Sequence, residues 1–153
     1  MKNNVLRIIS VIAPIVMVAV LGSIFVNIGM GWFDGLIKPS QWIPNWVIPI
    51  VWTVIYITFA VVLLIWSGKV EIPTSAKILL VVNGILNILW CFVFFTLKLI
   101  FVGNVVIILN LIAGVALWVN IFLKKRAYAY AVSIYPIWLS IAATLNLAMW
   151  ILN

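Results

Sequence analysis

Five apolar runs, each about twenty residues or longer and free of acidic side chains, govern what this 153-residue chain can fold into. A run of that length spans the roughly 30 Å hydrocarbon core of a bilayer as a helix. In lipid only helices and closed barrels satisfy their own backbone groups. The runs are continuous rather than alternating, which argues against barrel strands. The chain is 68% hydrophobic and 7% charged, too little polar surface to face water. The expected fold is an all-α integral membrane protein, a bundle of five transmembrane helices forming a single domain over residues 1–153. The spans fall at about 5–28, 46–66, 78–97, 101–123 and 128–152. The first is longer than the 7–15 residues of a signal-peptide core, and no A-x-A cleavage site follows it, so it reads as a retained helix.

Net charge is +7, from nine basic and two acidic residues. The positions of the basic residues point to membrane orientation rather than to nucleic acid. Lys2, Arg7, Lys69, Lys77, Lys124, Lys125 and Arg126 fall on the side of the amino terminus, and only Lys38 and Lys98 on the other. The positive-inside bias places the amino terminus in the cytoplasm and the carboxyl terminus outside, in what reads as a bacterial cytoplasmic membrane.

Much chemistry is missing. Asp34 and Glu71, the two acids, both fall in expected loops, and there is no histidine. A proton-coupled transporter needs an ionisable relay within the membrane. Acid–base hydrolysis usually needs a His or a carboxylate pair, and a nucleophilic triad needs a base. A His-ligated metal or haem iron has no ligand here. The lone Cys91 lies in an apolar run and reads as a small hydrophobe. The sequence identifies no metal site.

Amides and indoles remain. In "NGILNILW", Asn83, Asn87 and Trp90 share one helical face. Two readings stand: the amides glue helices together, or they line a cavity. Trp138, Ala142, Leu145 and Asn146 form a second such face. Trp138 falls near mid-membrane, where its N–H needs a partner or a polar cavity. Trp66 and Trp150 lie at span ends and read as interface anchors, and Trp118 fits either role. Pro14, Pro49 and Pro136 each remove a helical hydrogen bond and favour kinks.

The segment "WFDGLIKPSQWIPNWVIPIVWTVIY", Trp32 to Tyr56, holds four tryptophans and three prolines. Pro39 and Pro44 restrict the backbone, while Trp32, Trp42 and Trp46 supply packing surface. The reading is an ordered lid over the open end of the bundle that is also anchored in the headgroups. Trp52 and Tyr56 continue it down one face of the second span.

These residues resemble the TspO/MBR family, the tryptophan-rich sensory proteins related to the mitochondrial translocator protein (peripheral benzodiazepine receptor). "WFDGLIKPSQWIPNW" is similar to the family's first loop and "VWTVIY" to its second helix. "NGILNILWCFVFF", with Phe94 and Phe95, resembles the third helix, and "WLSIAATLNLAMWILN" the end of the fifth. The four motifs occur in the family's order and cover nearly the whole chain.

The resemblance implies five helices, usually as a homodimer, around a pocket beneath the first loop. It implies porphyrin or haem as ligand rather than as an obligatory cofactor, and binding of isoquinoline- or benzodiazepine-type drugs. Carried over by motif, the ligand-binding residues are Trp32, Lys38, Pro39, Pro44, Trp46, Trp52, Tyr56, Asn83, Asn87, Trp90, Trp138, Ala142 and Leu145. Lys38 is expected at the pocket mouth, facing a propionate. Two features depart from the family. Ile43 stands where a second proline is common, and Pro136 lies two residues before Trp138 rather than four. "LNLAMWILN" lacks the Tyr and basic residue of a sterol-recognition pattern, although "RAYAYAV" matches the reversed one.

Three functions follow as expectations. The first is a membrane sensor or regulator that binds tetrapyrroles. The second is light-dependent porphyrin degradation, with Trp52 and Trp138 as the reactive indoles. The third is transport of porphyrins or other hydrophobic molecules. The residues favour binding, because a pocket is arguable and a catalytic group is not.

Overall fold

A computed structural model describes residues 2–40 and 43–153. Trp42, expected to pack in the lid, lies outside the described residues. Helix α1 covers Lys2–Asp34, α2 Val47–Lys69, α3 Thr74–Cys91 and α4 Ile100–Lys124. The last span is divided into α5, Arg126–Val132, and α6, Ile134–Leu152. Among the described residues, five helical stretches are long and apolar enough to cross a membrane, as the apolar runs require.

The helices close a ring. Helix α1 packs on α2 and α3, α2 on α5 and α6, and α4 on α3, α5 and α6. The five spans put the chain ends on opposite faces. On one face the terminal Asn153 accepts a hydrogen bond from the Ile37 N–H (2.9 Å) and donates to the Ile37 carbonyl (3.0 Å), so the carboxyl terminus is tied to the first loop. We call this the loop face. The opposite, basic face carries the amino terminus and seven of the nine Lys and Arg residues.

Several boundaries differ from the sequence reading. Helix α1 runs through Asp34 rather than ending near Ile28. At ~1.5 Å per residue it is roughly 50 Å long, well over the hydrocarbon thickness. Trp32 and Phe33 therefore belong to a helix that reaches the loop layer, not to the loop itself. Pro14 lies inside this helix and offers no N–H to the Ser10 carbonyl. Pro49 is in the first turn of α2, where the missing N–H costs nothing. Pro136 is the third residue of α6 and deprives the Val132 carbonyl, where α5 ends. At the same junction the Ser133 hydroxyl donates to the Ala129 carbonyl (2.9 Å).

Helix α3 does not end as an α-helix. Phe92–Thr96 form a π-helical turn, closed by the Leu97 N–H on the Phe92 carbonyl at 2.9 Å. The turn packs across the interface on Gly29 of α1, which meets the Phe95 backbone so closely that a Cβ would overlap it. The Thr96 hydroxyl donates to the Phe25 carbonyl (3.1 Å) and fixes the same contact. The wider turn buries Val93, Phe94 and Phe95 in succession, which one face of an α-helix cannot do. Lys98, with φ of 61°, then reverses the chain in the left-handed region.

The core has two parts. The larger gathers Ile55, Phe59, Leu63, Leu117, Tyr135 and Leu139 among others. The smaller, near the loop face, gathers Phe33, Phe94, Phe95 and Met149, with Trp32 and Trp90 against it. Trp66 corrects the anchor reading: it is 1% exposed and packs on Tyr128 of α5, centroids 5.6 Å apart. The short helix α5 crosses over it and removes it from the interface. Trp150 is 44% exposed, as expected of an interface residue. Trp118 ties α4 to α5, its indole N–H donating to the Ala129 carbonyl and the Ser133 hydroxyl, both at 3.0 Å.

Candidate functional site

Among the described residues, Trp52 borders two cavities within the bundle. The larger, about 800 Å³, lies between α1, α2 and α3, with Leu117 and Tyr135 behind it. That volume falls within the range of small-molecule pockets, about 300–1,000 Å³. The smaller, about 60 Å³, lies toward the loop face between Phe33, Trp52, Trp90, Trp138, Ala142 and Leu145. It cannot take a drug-sized ligand as it stands.

The predicted residues divide between them. Trp52, Tyr56, Asn83 and Asn87 border the large cavity. Trp90, Trp138, Ala142 and Leu145, with Trp52 again, border the small one. Trp52 stacks on Tyr56 at 5.7 Å, and Trp90 on Phe94 at the same distance, so each cavity has an aromatic wall. The indole N–H groups of Trp90 and Trp138 are buried with no acceptor among the described residues. Buried donors of this kind are usually paired, so two unspent N–H groups beside one cavity mark it as a place for an acceptor atom.

Asn83 and Asn87 serve both of the roles their spacing suggested. Asn87 donates to the Tyr135 hydroxyl (2.9 Å), and the hydroxyl faces Asn83 Oδ1 at 3.0 Å and Asn110 Oδ1 at 3.3 Å. The network joins α3, α4 and α6 in a setting where an unpaired amide is costly. It also forms the polar end of the large cavity, which Asn83, Asn87 and Tyr135 border.

The loop residues are placed elsewhere. Trp32 packs edge-on against Phe94 at 5.8 Å and borders neither cavity. Pro39 is buried, while Pro44 and Trp46 are exposed, Trp46 at 67%. The Pro44 carbonyl accepts the Val47 N–H at 2.9 Å and starts α2. Lys38 folds back on its own turn, its ammonium 4.9 Å from the Phe33 ring, 4.0 Å from the Asp34 carboxylate and 3.4 Å from the Asp34 carbonyl. It stands at neither cavity's mouth, because the extended α1 brings Asp34 within its reach.

Sequence reasoning missed Tyr135, the hub of the network. It lies three residues before Trp138, on the face already picked out, and that spacing was the available signal. Asn104 and Asn110, amides within the fourth apolar run, were also visible. Asn104 pairs with Asn146 at 2.9 Å, and Asn110 meets Tyr135.

A five-span ring with a small aromatic chamber toward the Trp/Pro loop, and its larger cavity reaching the basic face rather than lying beneath that loop as the resemblance implied, is the setting in which the family comparison falls. The model of the TspO/MBR family matches residues 10–151. The chain belongs to the TspO/MBR family. Two relatives agree with that assignment. Tryptophan-rich protein TspO of Archaeoglobus fulgidus is 30% identical over 152 residues, covering 98% of this chain and 99% of the relative. Protein CrtK of Rhodobacter capsulatus is 30% identical over 125 residues, covering 80% and 78%. As a member of the TspO/MBR family the chain is an integral membrane protein, and its aromatic-rich loop face is part of the matched region.

Proposed function

We propose that this chain is a membrane sensor or regulator that binds a flat, apolar tetrapyrrole of the porphyrin or haem class, and that related aromatic drugs enter the same place. Membership of the TspO/MBR family supports a membrane sensory or regulatory role. The observation that carries the ligand class is Trp52, one indole shared between an 800 Å³ cavity and a chamber with two unspent N–H donors. The large cavity offers volume and an aromatic face, and the chamber offers donors for a carbonyl or carboxylate. Rotation of Trp52 joins the two. With no histidine in the chain, the macrocycle rather than the iron is held.

The proposal includes a homodimer, which the family resemblance suggests, in a bacterial cytoplasmic membrane, with the amino terminus inside on the strength of the seven-to-two division of basic residues. The test of the ligand is a dark titration of detergent-solubilised protein with protoporphyrin IX. Porphyrin absorbance and tryptophan fluorescence are read together. Saturable binding that falls at least tenfold in Trp52→Leu supports the reading. Equal or unsaturable signals in both proteins mean partition into the micelle and reject it.

Trp52 and Trp138 border the same small chamber, which favours one second reading, light-dependent porphyrin oxidation at those indoles. If the porphyrin bleaches at an unchanged rate in Trp52→Phe/Trp138→Phe at equal occupancy, the indoles are not the reactive groups.

A further inference from the structure

We propose that the large cavity is a lateral slot for a single-chain amphiphile with an anionic head, the chemistry of a long-chain fatty acid. The shape comes first. On α3 the cavity runs from Lys77 to Ile88, roughly 16 Å at ~1.5 Å per residue. That is about half the ~30 Å hydrocarbon core, the depth of one leaflet and so the reach of one acyl tail.

Polarity is sorted along that length. Ser10, Ser67, Glu71 and Lys77 border the end at the basic face, and Tyr56, Asn83, Asn87 and Tyr135 the end near mid-membrane. Between them the wall is aliphatic and aromatic, with Val11, Ile15, Phe59, Leu63 and Leu80. The slot also opens sideways. Met17 on α1 and Val81 and Ile85 on α3 border it and are 55, 60 and 59% exposed. On a membrane-spanning helix such surface meets lipid tails, so a tail can enter from the leaflet without crossing water.

Charge at the mouth selects the head. Lys77 holds Glu71 at 2.8 Å in a pair whose members are 49 and 87% exposed, and exposed pairs of this kind yield readily to competitors. Arg7 lies one turn before Ser10 and packs on Gly68, next to Ser67. It donates to the Leu64 carbonyl (3.2 Å), keeps a buried Nε–H unpaired, and has no carboxylate partner among the described residues. Lys77 with its displaceable acid at the base of a tail-length slot, and Arg7 one turn beyond it on the Leu64 carbonyl, complement a carboxylate, oriented as a lipid of that leaflet is oriented. This inference goes beyond tetrapyrrole binding and stands without it.

Native mass spectrometry of the detergent-solubilised full chain, titrated with palmitate and separately with hexadecanol, tests it. The two probes share a tail and differ in charge. The expected result is one saturable palmitate per chain, with hexadecanol at least tenfold weaker. Lys77→Gln, at an exposed position that leaves the fold intact, lowers palmitate affinity several-fold and leaves hexadecanol unchanged. Glu71→Gln raises palmitate affinity, and Val81→Trp, at the slot's rim, lowers binding of both. Equal binding of the two probes overturns the proposal, as does palmitate binding indifferent to Lys77→Gln. So does a two-chain species that excludes palmitate, which would make a second copy of the chain the occupant. Protoporphyrin binding by the same variants is a separate readout, so either reading fails without the other.

Discussion

The hydroxyl of Tyr135 accepts a hydrogen bond from Asn87 at 2.9 Å and faces Asn83 Oδ1 at 3.0 Å, so one phenol ties the third helix to the sixth within the membrane. Tyr135→Phe keeps the ring and strands the amides. The expected loss is about 1–2 kcal/mol, above the ~0.6 average of membrane hydrogen bonds because more than one amide loses its partner. Thermal unfolding in detergent measures it. A cycle with Asn87→Leu should show the two changes to be less than additive.

Gly29→Ala tests the close approach of α1 to the π-helical turn. A methyl there overlaps the Phe95 carbonyl, and overpacking against backbone costs about 1–3 kcal/mol. Gly31→Ala is the control: nothing lies within 4 Å of its Cβ, and helix propensity predicts a gain of up to about 1 kcal/mol. Equal effects on the melting temperature would remove the interface explanation.

Trp138→Phe separates stability from binding. Its indole N–H has no acceptor among the described residues, so losing it should cost well under the ~3–5 kcal/mol of a full truncation to Ala. If that N–H serves a ligand acceptor, protoporphyrin affinity falls about tenfold while the melting temperature hardly moves.

Trp66→Ala and Trp150→Ala distinguish core from interface. Trp66 is 1% exposed and Trp150 44%. The first change should cost about 3–5 kcal/mol and the second much less, read from thermal unfolding.

Lys77 holds the Glu71 carboxyl below its ordinary pKa, by hydrogen bond first and by charge second. Such a group favours the folded state above the ordinary carboxylate range, and the benefit is lost as pH falls through the lowered value. The carboxylate is fully solvated, so acid should free Lys77 without shifting the melting temperature. Side-chain carbonyl chemical shifts of Glu71 across pH 2 to 6 follow the titration, and Glu71→Gln should mimic its low-pH end.

The five spans were legible because the bilayer imposes a length and an apolar content on every helix that crosses it. Their ring order was not, since it depends on which faces meet. Helix α1 outran its expected end because Gly29, Trp32 and Asp34 read as loop chemistry, while packing on Phe94 and Phe95 keeps that segment helical. Trp66 was misread because an indole at a span end defaults to the interface, and the sequence gives no sign that α5 covers it. The faces of Asn83, Asn87, Trp138 and Leu145 followed from helical spacing alone. That they border two cavities rather than one was hidden, because the division depends on where the Trp52 ring lies.

The π-helical turn at Phe92–Thr96 makes the aromatic wedge a matter of counting rather than composition. Three successive side chains face inward because that turn holds one more residue than an α-helical turn of the same height. Conservative exchange of Phe94 or Phe95 leaves the frame as it is. Deleting any single residue of the five restores an ordinary winding of the same height and turns the neighbouring side chains of the wedge by up to about 100°, so that three in succession no longer face inward. Variation by length is thus forbidden in a stretch where variation by chemistry is tolerated.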